Sequence, residues 1–250
     1  VVAPESFGNT SLSLKTNEDV PLQISEFRVY DADAGADGII QVSLSATHGT
    51  FTTAVGQTVF NGTATDINKT LQTLVYVPKP HTNGVDFIHL QLEDEEKLTS
   101  FETYVVQVDA VNDSPEIIVE SSIIDTMEHR LTHVDGVSVR DNDMHDYEYQ
   151  NTLLNFSLIV NHGVLGLRSM EGLGGIIFLE NIHTNDYFKK ESLHFLASLR
   201  DVNIALQDLI YIGNKNFYGT DTLKIVVDDL GNFGYGGRKT DESEITLNVK

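Results

Sequence analysis

Val108-Asp109-Ala110-Val111-Asn112-Asp113-Ser114-Pro115 lies near the middle of the 250-residue chain and decides how the rest is read. An alternating segment, residues 103–108, runs into it, and a second alternation, residues 116–119, leaves it. Pro115 has no N–H to give to a sheet ladder and fixes its own φ, so it ends one strand and sets the course of the next. Asp109, Asn112 and Asp113 place side-chain oxygens at the same point. The stretch reads as a stiff linker between two β domains, residues 1–113 and residues 114–250.

Outward from the linker, the second half repeats the first. Glu18 stands thirteen residues before Asp31-Ala32-Asp33, and Glu128 thirteen before Asp141-Asn142-Asp143. His48-Gly49 closes an apolar alternation, as does His162-Gly163. The segment from Asp66 to Tyr76 matches that from Asp201 to Tyr211, Asp86 matches Asp221, and Asp94 matches Asp229. The separation is 110 residues at Asp31 and Asp141, 114 at His48 and His162, and 135 from Asp66 and Asp201 onward. The second repeat therefore carries 4 extra residues near 146–150 and a 21-residue insert between Gly163 and Asp201. A period above 100 residues denotes tandem domains, not a solenoid of short repeats.

Period-two runs dominate both repeats: residues 11–14, 20–24, 41–46, 87–93 and 103–108, then 155–160, 222–227 and 245–249. Val, Ile, Thr and Tyr fill them, and Gly, Asn, Asp and Pro separate them. The pattern predicts an all-β chain of two tandem β-sandwiches with about seven strands each. Residues 66–74 and 201–209 each read as an acidic residue opening a turn or two before a strand. The insert holds the basic, aromatic piece His183-Thr184-Asn185-Asp186-Tyr187-Phe188-Lys189-Lys190. It is read either as a contact loop or as a longer strand pair over the domain's flank.

A hydrophobic content of 40% belongs to a folded chain. No run approaches the roughly 18 apolar residues of a membrane helix. Val1-Val2-Ala3-Pro4 does not read as a signal peptide, and the chain reads as an interior segment of something longer. With no cysteine, disulfides, thiol catalysis and Cys-zinc sites are all excluded. The net charge of −21 repels nucleic acid and anionic lipid and strains the compact state. Divalent cations would relieve that strain; an acidic surface that only keeps the protein soluble is the other reading.

Calcium takes six to eight oxygens from carboxylates, amides, carbonyls and water. The linker offers Asp109, Asn112 and Asp113, the second repeat offers Asp141 and Asp143, and Glu18 and Asp229 come from elsewhere in the two repeats. Two carboxylates one residue apart reach one ion together and repel each other without it. Taken singly, Asn112-Asp113 reads equally as an Asx-turn before proline, and each Asp-x-Asp pair as a solvated turn. Asp66 and Asp201 read as turn caps.

The motifs Asn17-Glu18-Asp19, Asp31-Ala32-Asp33, Leu92-Glu93-Asp94 and Val111-Asn112-Asp113-Ser114-Pro115 make the chain resemble cadherin repeats, and more closely the cadherin-like domains of large surface adhesins. The resemblance runs through the whole chain, twice, and implies Ig-like sandwiches with calcium at each joint. It implies a middle site of Glu18, Asp109, Asn112, Asp113, Asp141, Asp143 and Asp229. A site before the first repeat would use Asp31, Asp33 and Asp94, and Glu128 would face whatever follows Lys250. This chain departs from the cadherin linker in having Ala110 at the first acidic position and one residue fewer before Pro115. Glu128-His129-Arg130 replaces an acidic cluster, and the absence of tryptophan removes support for strand-swap adhesion.

His48 and His162 read as turn residues, and His129, His133 and His145 lack the spacing of a zinc protease. Gly231-Asn232-Phe233-Gly234-Tyr235-Gly236-Gly237 reads as a loop between the last two strands. No catalytic carboxylate pair or nucleophile elbow stands out, so the chain is not expected to be an enzyme. Asn9, Asn61, Asn68 and Asn155 begin glycosylation sequons, as does Asn112, the poorest acceptor of the five if it faces an ion. The expected role is a calcium-rigidified, extracellular repeat pair of an adhesin or stalk, flanked by further repeats. Lateral or homotypic contacts in a filament, and carbohydrate binding on exposed tyrosines, are the alternatives; nucleic acid and membrane insertion are not expected.

Overall fold

A computed structural model describes residues 13–30, 37–145, 152–167, 175–179 and 190–250. The chain divides into unit 1, Val1–Val111, and unit 2, Asn112–Lys250, two residues ahead of the boundary expected from the linker.

Unit 1 holds β1 (Ser13–Asn17), β2 (Leu22–Ile24), β3 (Ile39–Ala46), β4 (Thr50–Thr52), β5 (Val59–Thr63), α1 (Ala64–Leu71), β6 (Leu74–Val77), β7 (Gly84–Glu93) and β8 (Thr99–Asp109). One sheet runs β1-β8-β7-β3-β5 and the other β2-β6-β4. The first strand pairs parallel to the last, Ser13 opposite Val105, and the remaining pairs are antiparallel. Strict alternation puts Ile40, Val42 and Leu44 of β3 and Ile88, Leu90 and Leu92 of β7 on one face. These side chains pack against Ile24, Leu74 and Tyr76 of the second sheet to form the core. That is the sandwich the period-two runs predict.

Unit 2 holds β9 (Glu116–Val119), β10 (Ile123–Thr126), β11 (Leu131–His133), β12 (Val137–Arg140), β13 (Leu153–Ile159), β14 (Gly163–Leu167), β15 (Ile177–Phe178), β16 (Ser192–Ser198), α2 (Leu199–Gln207), β17 (Leu209–Gly213), β18 (Gly219–Asp228) and β19 (Thr240–Val249). Its sheets run β10-β19-β18-β13-β16-β15, β11-β17-β14 and β12-β9, and β10 again lies parallel to β19. The insert contributes β15, an added edge strand antiparallel to β16. Residues 180–189, with the basic aromatic piece, fall outside the described residues, apart from Lys190. Among the described residues no helix is long and apolar enough to cross a membrane.

The turns expected at Asp66 and Asp201 are helices that start earlier. Thr63 and Ser198 are the caps, each hydroxyl accepting from the N–H of Asp66 (3.3 Å) or Asp201 (3.2 Å). The aspartates occupy the first turn, where the dipole favours a negative charge, rather than the cap. Ile67 and Leu71, like Val202 and Leu206, bury one face of each helix on its unit's core.

A duplicated polar clasp joins the two sheets of each unit. In unit 1 the buried Asp86 accepts from the N–H groups of Thr47 (3.1 Å), His48 (3.1 Å) and Gly49 (2.8 Å) and from the Tyr76 hydroxyl (2.6 Å). In unit 2 Asp221 accepts from Asn161 (3.0 Å), His162 (2.9 Å) and the Tyr211 hydroxyl (2.8 Å). His48 and His162 thus serve through their backbones, as turn residues. Burial, and then the facing carboxylate, push both phenols well above the ordinary tyrosine range. Burial alone would raise the Asp86 carboxyl, but the bonds from Tyr76, Gly49, Phe87 and His48 outweigh it and hold the group below its ordinary value. A Cβ on Gly49 or Gly163 would sit 2.3 or 2.2 Å from the tyrosine ring, so only glycine lets the turn pass over it.

Tyr76→Phe removes a hydrogen bond to a buried charge and is expected to cost about 1.5–3 kcal/mol. Gly49→Ala forces the ring aside and is expected to cost about 1–3 kcal/mol. Urea denaturation of each variant against the parent chain measures both.

Candidate metal centre

The linker residues divide between the units by what they bond. Asp109 ends β8 and meets Lys15 of β1 at 2.7 Å, so its carboxylate is turned to a lysine rather than offered to an ion. Ala110, where the cadherin pattern has its first acidic residue, leaves nothing in its place. Glu18 is 3% exposed; its N–H donates to the Asp109 carbonyl at 2.9 Å and its Oε1 accepts from the Val111 N–H at 2.5 Å. This carboxylate holds the exit of β8 in place.

Asn112 belongs wholly to unit 2. Its N–H donates to the Tyr235 carbonyl at 2.8 Å, and its Nδ2 donates to Asp229 Oδ2 at 2.5 Å and to the Gly237 carbonyl at 2.8 Å. Its side chain is fully buried, and its Oδ1 has no hydrogen-bond partner. The glycine-rich loop is indeed the β18–β19 connection, and it folds back to supply those carbonyls. Gly231, at φ 67°, makes that return possible, because a Cβ there would lie 2.8 Å from the Arg238 nitrogen. Asp229 Oδ1 accepts from the N–H groups of Gly231 (2.7 Å) and Lys239 (2.8 Å).

The Asp141 and Asp143 pair follows β12 at the start of a short 3-10 turn, Asn142–His145. Asp141 Oδ1 accepts from the Asp143 N–H at 3.0 Å, and Asp143 Oδ2 accepts from the Asp113 N–H at 2.6 Å. Asn112, Asp113, Asp141, Asp143 and Asp229 are therefore one cluster, brought together by the fold of unit 2 alone. Burial pushes the Asp141 carboxyl up to about 6, and Asp143, Asp229 and Asp113 add to that against the bond from the Asp143 N–H. Asp143 is raised by burial first and then by Asp113 and Asp229. Lys239, whose ammonium donates to the Asn112 carbonyl, lowers Asp143 but does not reverse its shift. Crowded carboxylates that resist ionising, beside an amide oxygen without a donor, form a hard-oxygen donor set of the kind calcium uses.

The other expected ligands are placed differently. Asp31 and Asp33 lie outside the described residues. Asp94 Oδ1 accepts from the Leu98 N–H at 2.8 Å and closes the β7–β8 turn, as its match Asp229 accepts from the Lys239 N–H at 2.8 Å across the β18–β19 loop. Glu128 accepts from the Tyr218 hydroxyl at 2.5 Å and from the Asn216 N–H, within its own unit. Among the sequons, Asn9 lies outside the described residues and Asn61 is exposed on β5. Asn68 is corrected as a glycan acceptor, because its amide spends both groups on the Val29 backbone, at 2.7 and 2.9 Å. Asn155 sits in β13 between β16 and β18, half-buried, with its Oδ1 sealed from solvent. Lys239 and the carbonyls of Tyr235 and Gly237 were not foreseen; only the glycine spacing hinted that this loop turns back.

Residues 148–231 match the family model described as Protein GAMETE EXPRESSED 2 domain. No curated protein matches the sequence. Among solved structures, human mucin-like protocadherin EC1-2 is similar at 13% identity and a TM-score of 0.39, over 96% of each chain. Human protocadherin-24 EC1-2 is similar at 14% identity and a TM-score of 0.43, over 100% of each chain. Extracellular cadherin domains 1-5 of protocadherin gamma B2 are similar at 16% identity and a TM-score of 0.44, over 100% of this chain, which spans 39% of that one. The likeness is one of fold.

The raised Asp141 group sets a pH dependence. In the metal-free protein the folded carboxyl, at about 6, holds its proton to higher pH than the unfolded one, at 3.8. Its contribution to stability is therefore present below about pH 4 and is lost as pH rises through 6. With chelator present, the stability of the parent chain relative to Asp141→Asn is expected to fall between pH 4 and 7. Urea denaturation at several pH values reads the difference, and a difference independent of pH contradicts the assignment.

Proposed function

We propose that the chain is a calcium-rigidified repeat pair of an extracellular adhesin or stalk, serving reach and stiffness in cell adhesion rather than catalysis. The observation that carries this reading is the Asn112 side chain, buried with a donorless Oδ1 beside the carboxylates Asp141 and Asp143, which burial and then their acidic neighbours hold above their ordinary value. Asn112, Asp113, Asp141, Asp143 and Asp229 would hold the ion. A bound divalent cation supplies the positive charge the cluster lacks and stabilises the folded form by mass action. Because Asn112 and Asp113 are the first residues of unit 2, an ion there also takes freedom out of the linker. Asp31, Asp33 and Asp94 would serve a second site ahead of unit 1. Flanking repeats of a longer chain are the partners this role requires.

Calcium titration of the 250-residue chain tests it. Saturating calcium, at a hundredfold above Kd, is expected to add about 2.7 kcal/mol for each site and to lengthen the particle in small-angle scattering. Chelator reverses both, and Asp143→Asn blunts both. A chelated chain as extended and heat-resistant as the calcium-loaded one sinks the proposal. Calcium-independent polymers would point to a filament subunit instead.

A further inference from the structure

Asn203 of α2 meets both backbone groups of one residue. Its Oδ1 accepts from the Val139 N–H at 2.8 Å, and its Nδ2 donates to the Val139 carbonyl at 2.9 Å and to the Leu199 carbonyl at 3.0 Å. Val139 belongs to β12, which pairs within its sheet only with β9. The amide stands where a further strand would and satisfies both backbone groups of Val139. One residue after Val139, Arg140 pairs with Glu116 in the last rung, with an ion pair at 2.6 Å. Directly beyond that rung, β12 leads into Asp141 and Asp143, and β9 is entered from Asn112 and Asp113. Two of the three sources of the cluster, the linker and the turn after β12, are thus set against each other by a two-stranded ladder with Asn203 on its outer edge, while Asp229 comes from the end of β18.

Unit 1 repeats the device. Asn68 of α1 holds Val29 through the same two bonds, at 2.7 and 2.9 Å, and Val29 precedes Asp31 by two residues, as Val139 precedes Asp141. The backbone clamp therefore recurs at one fixed distance ahead of each Asp-x-Asp pair. Asparagine suits the place because one planar amide offers an acceptor and a donor side by side, matching the N–H and C=O of a strand residue.

We propose that Asn203 is a positioning residue of the cation site, clamping β12 so that Asp141 and Asp143 are presented to Asn112 and Asp113. This rests on the calcium reading of that cluster. Groups that orient ligands from outside the coordination sphere typically alter metal affinity by about 10- to 100-fold. The test follows the Asp143 backbone amide by NMR through a calcium titration of the full chain. Asn203→Ala is expected to weaken the apparent Kd at that amide by about 10- to 100-fold. Asn68→Ala, which loses the equivalent bonds in unit 1, is expected to lower thermal stability yet leave the Kd at Asp143 unchanged. Should Asn203→Ala not fold, Asn203→Asp keeps the acceptor for Val139 N–H, loses the donor, and is expected to weaken binding in the same direction. An unchanged Kd in a folded Asn203 variant, or an equal loss in Asn68→Ala, overturns the positioning role while calcium binding stands. A parent chain whose Asp143 amide ignores calcium overturns the calcium reading, and this inference with it.

Discussion

A carboxylate removed from water has to be answered by donors or by a cation, and this chain meets that constraint in two ways. In the body of each unit the answer is internal. Asp86 and Asp221 each collect backbone N–H groups from a turn and a hydroxyl from the opposite sheet, so the charge is satisfied and the two sheets are tied at a defined point. At the entry to unit 2 the internal answer is incomplete. Asp141, Asp143 and Asp229 share a few N–H groups, with the charges of Lys239 and Arg238 nearby, and two of them resist ionisation. The difference between a structural aspartate and a candidate ligand is thus a difference in how many donors the fold supplies.

The surrounding architecture serves that contrast. In unit 1 the first strand pairs parallel to the last, whereas unit 2 is entered through β9, which pairs with β12, and its last strand takes β10 as the parallel partner. The β18–β19 loop spends two carbonyls on Asn112, which leaves the amide oxygen as the one group of that side chain with no partner. Each helix, short as it is, buries one face in the core and uses an asparagine on its flank to hold a backbone segment, Val29 in unit 1 and β12 in unit 2. Stability and site geometry are coupled in this way, since the elements that close the core also present the acidic residues.

Much of this is legible in the residue order. Alternation announces sandwiches, and spaced repeats of Glu, Asp-x-Asp and His-Gly announce two of them. The paired aspartates, with Asn112 and Asp113, identify the cluster because charges placed so close on a short segment have few other uses. Side-chain direction was not legible. Asp109 and Asp94 carry the right chemistry at the right places, yet one turns to Lys15 and the other to the Leu98 N–H. Asn68 reads as a sequon and is instead a backbone clamp, because its sequence context says nothing of Val29, thirty-nine residues away.

The amino-acid sequence by itself determined the doubled all-β architecture, the linker and the residue types of the acidic cluster, because periodicity, proline and repeat spacing are local properties of the chain. Tertiary structure decided which oxygens are already satisfied, that Asn112 sides with unit 2, and that a glycine-rich loop and a helix asparagine frame the cluster. Those outcomes depend on hydrogen bonds between residues far apart in sequence. Such partners become neighbours only when the sheets close.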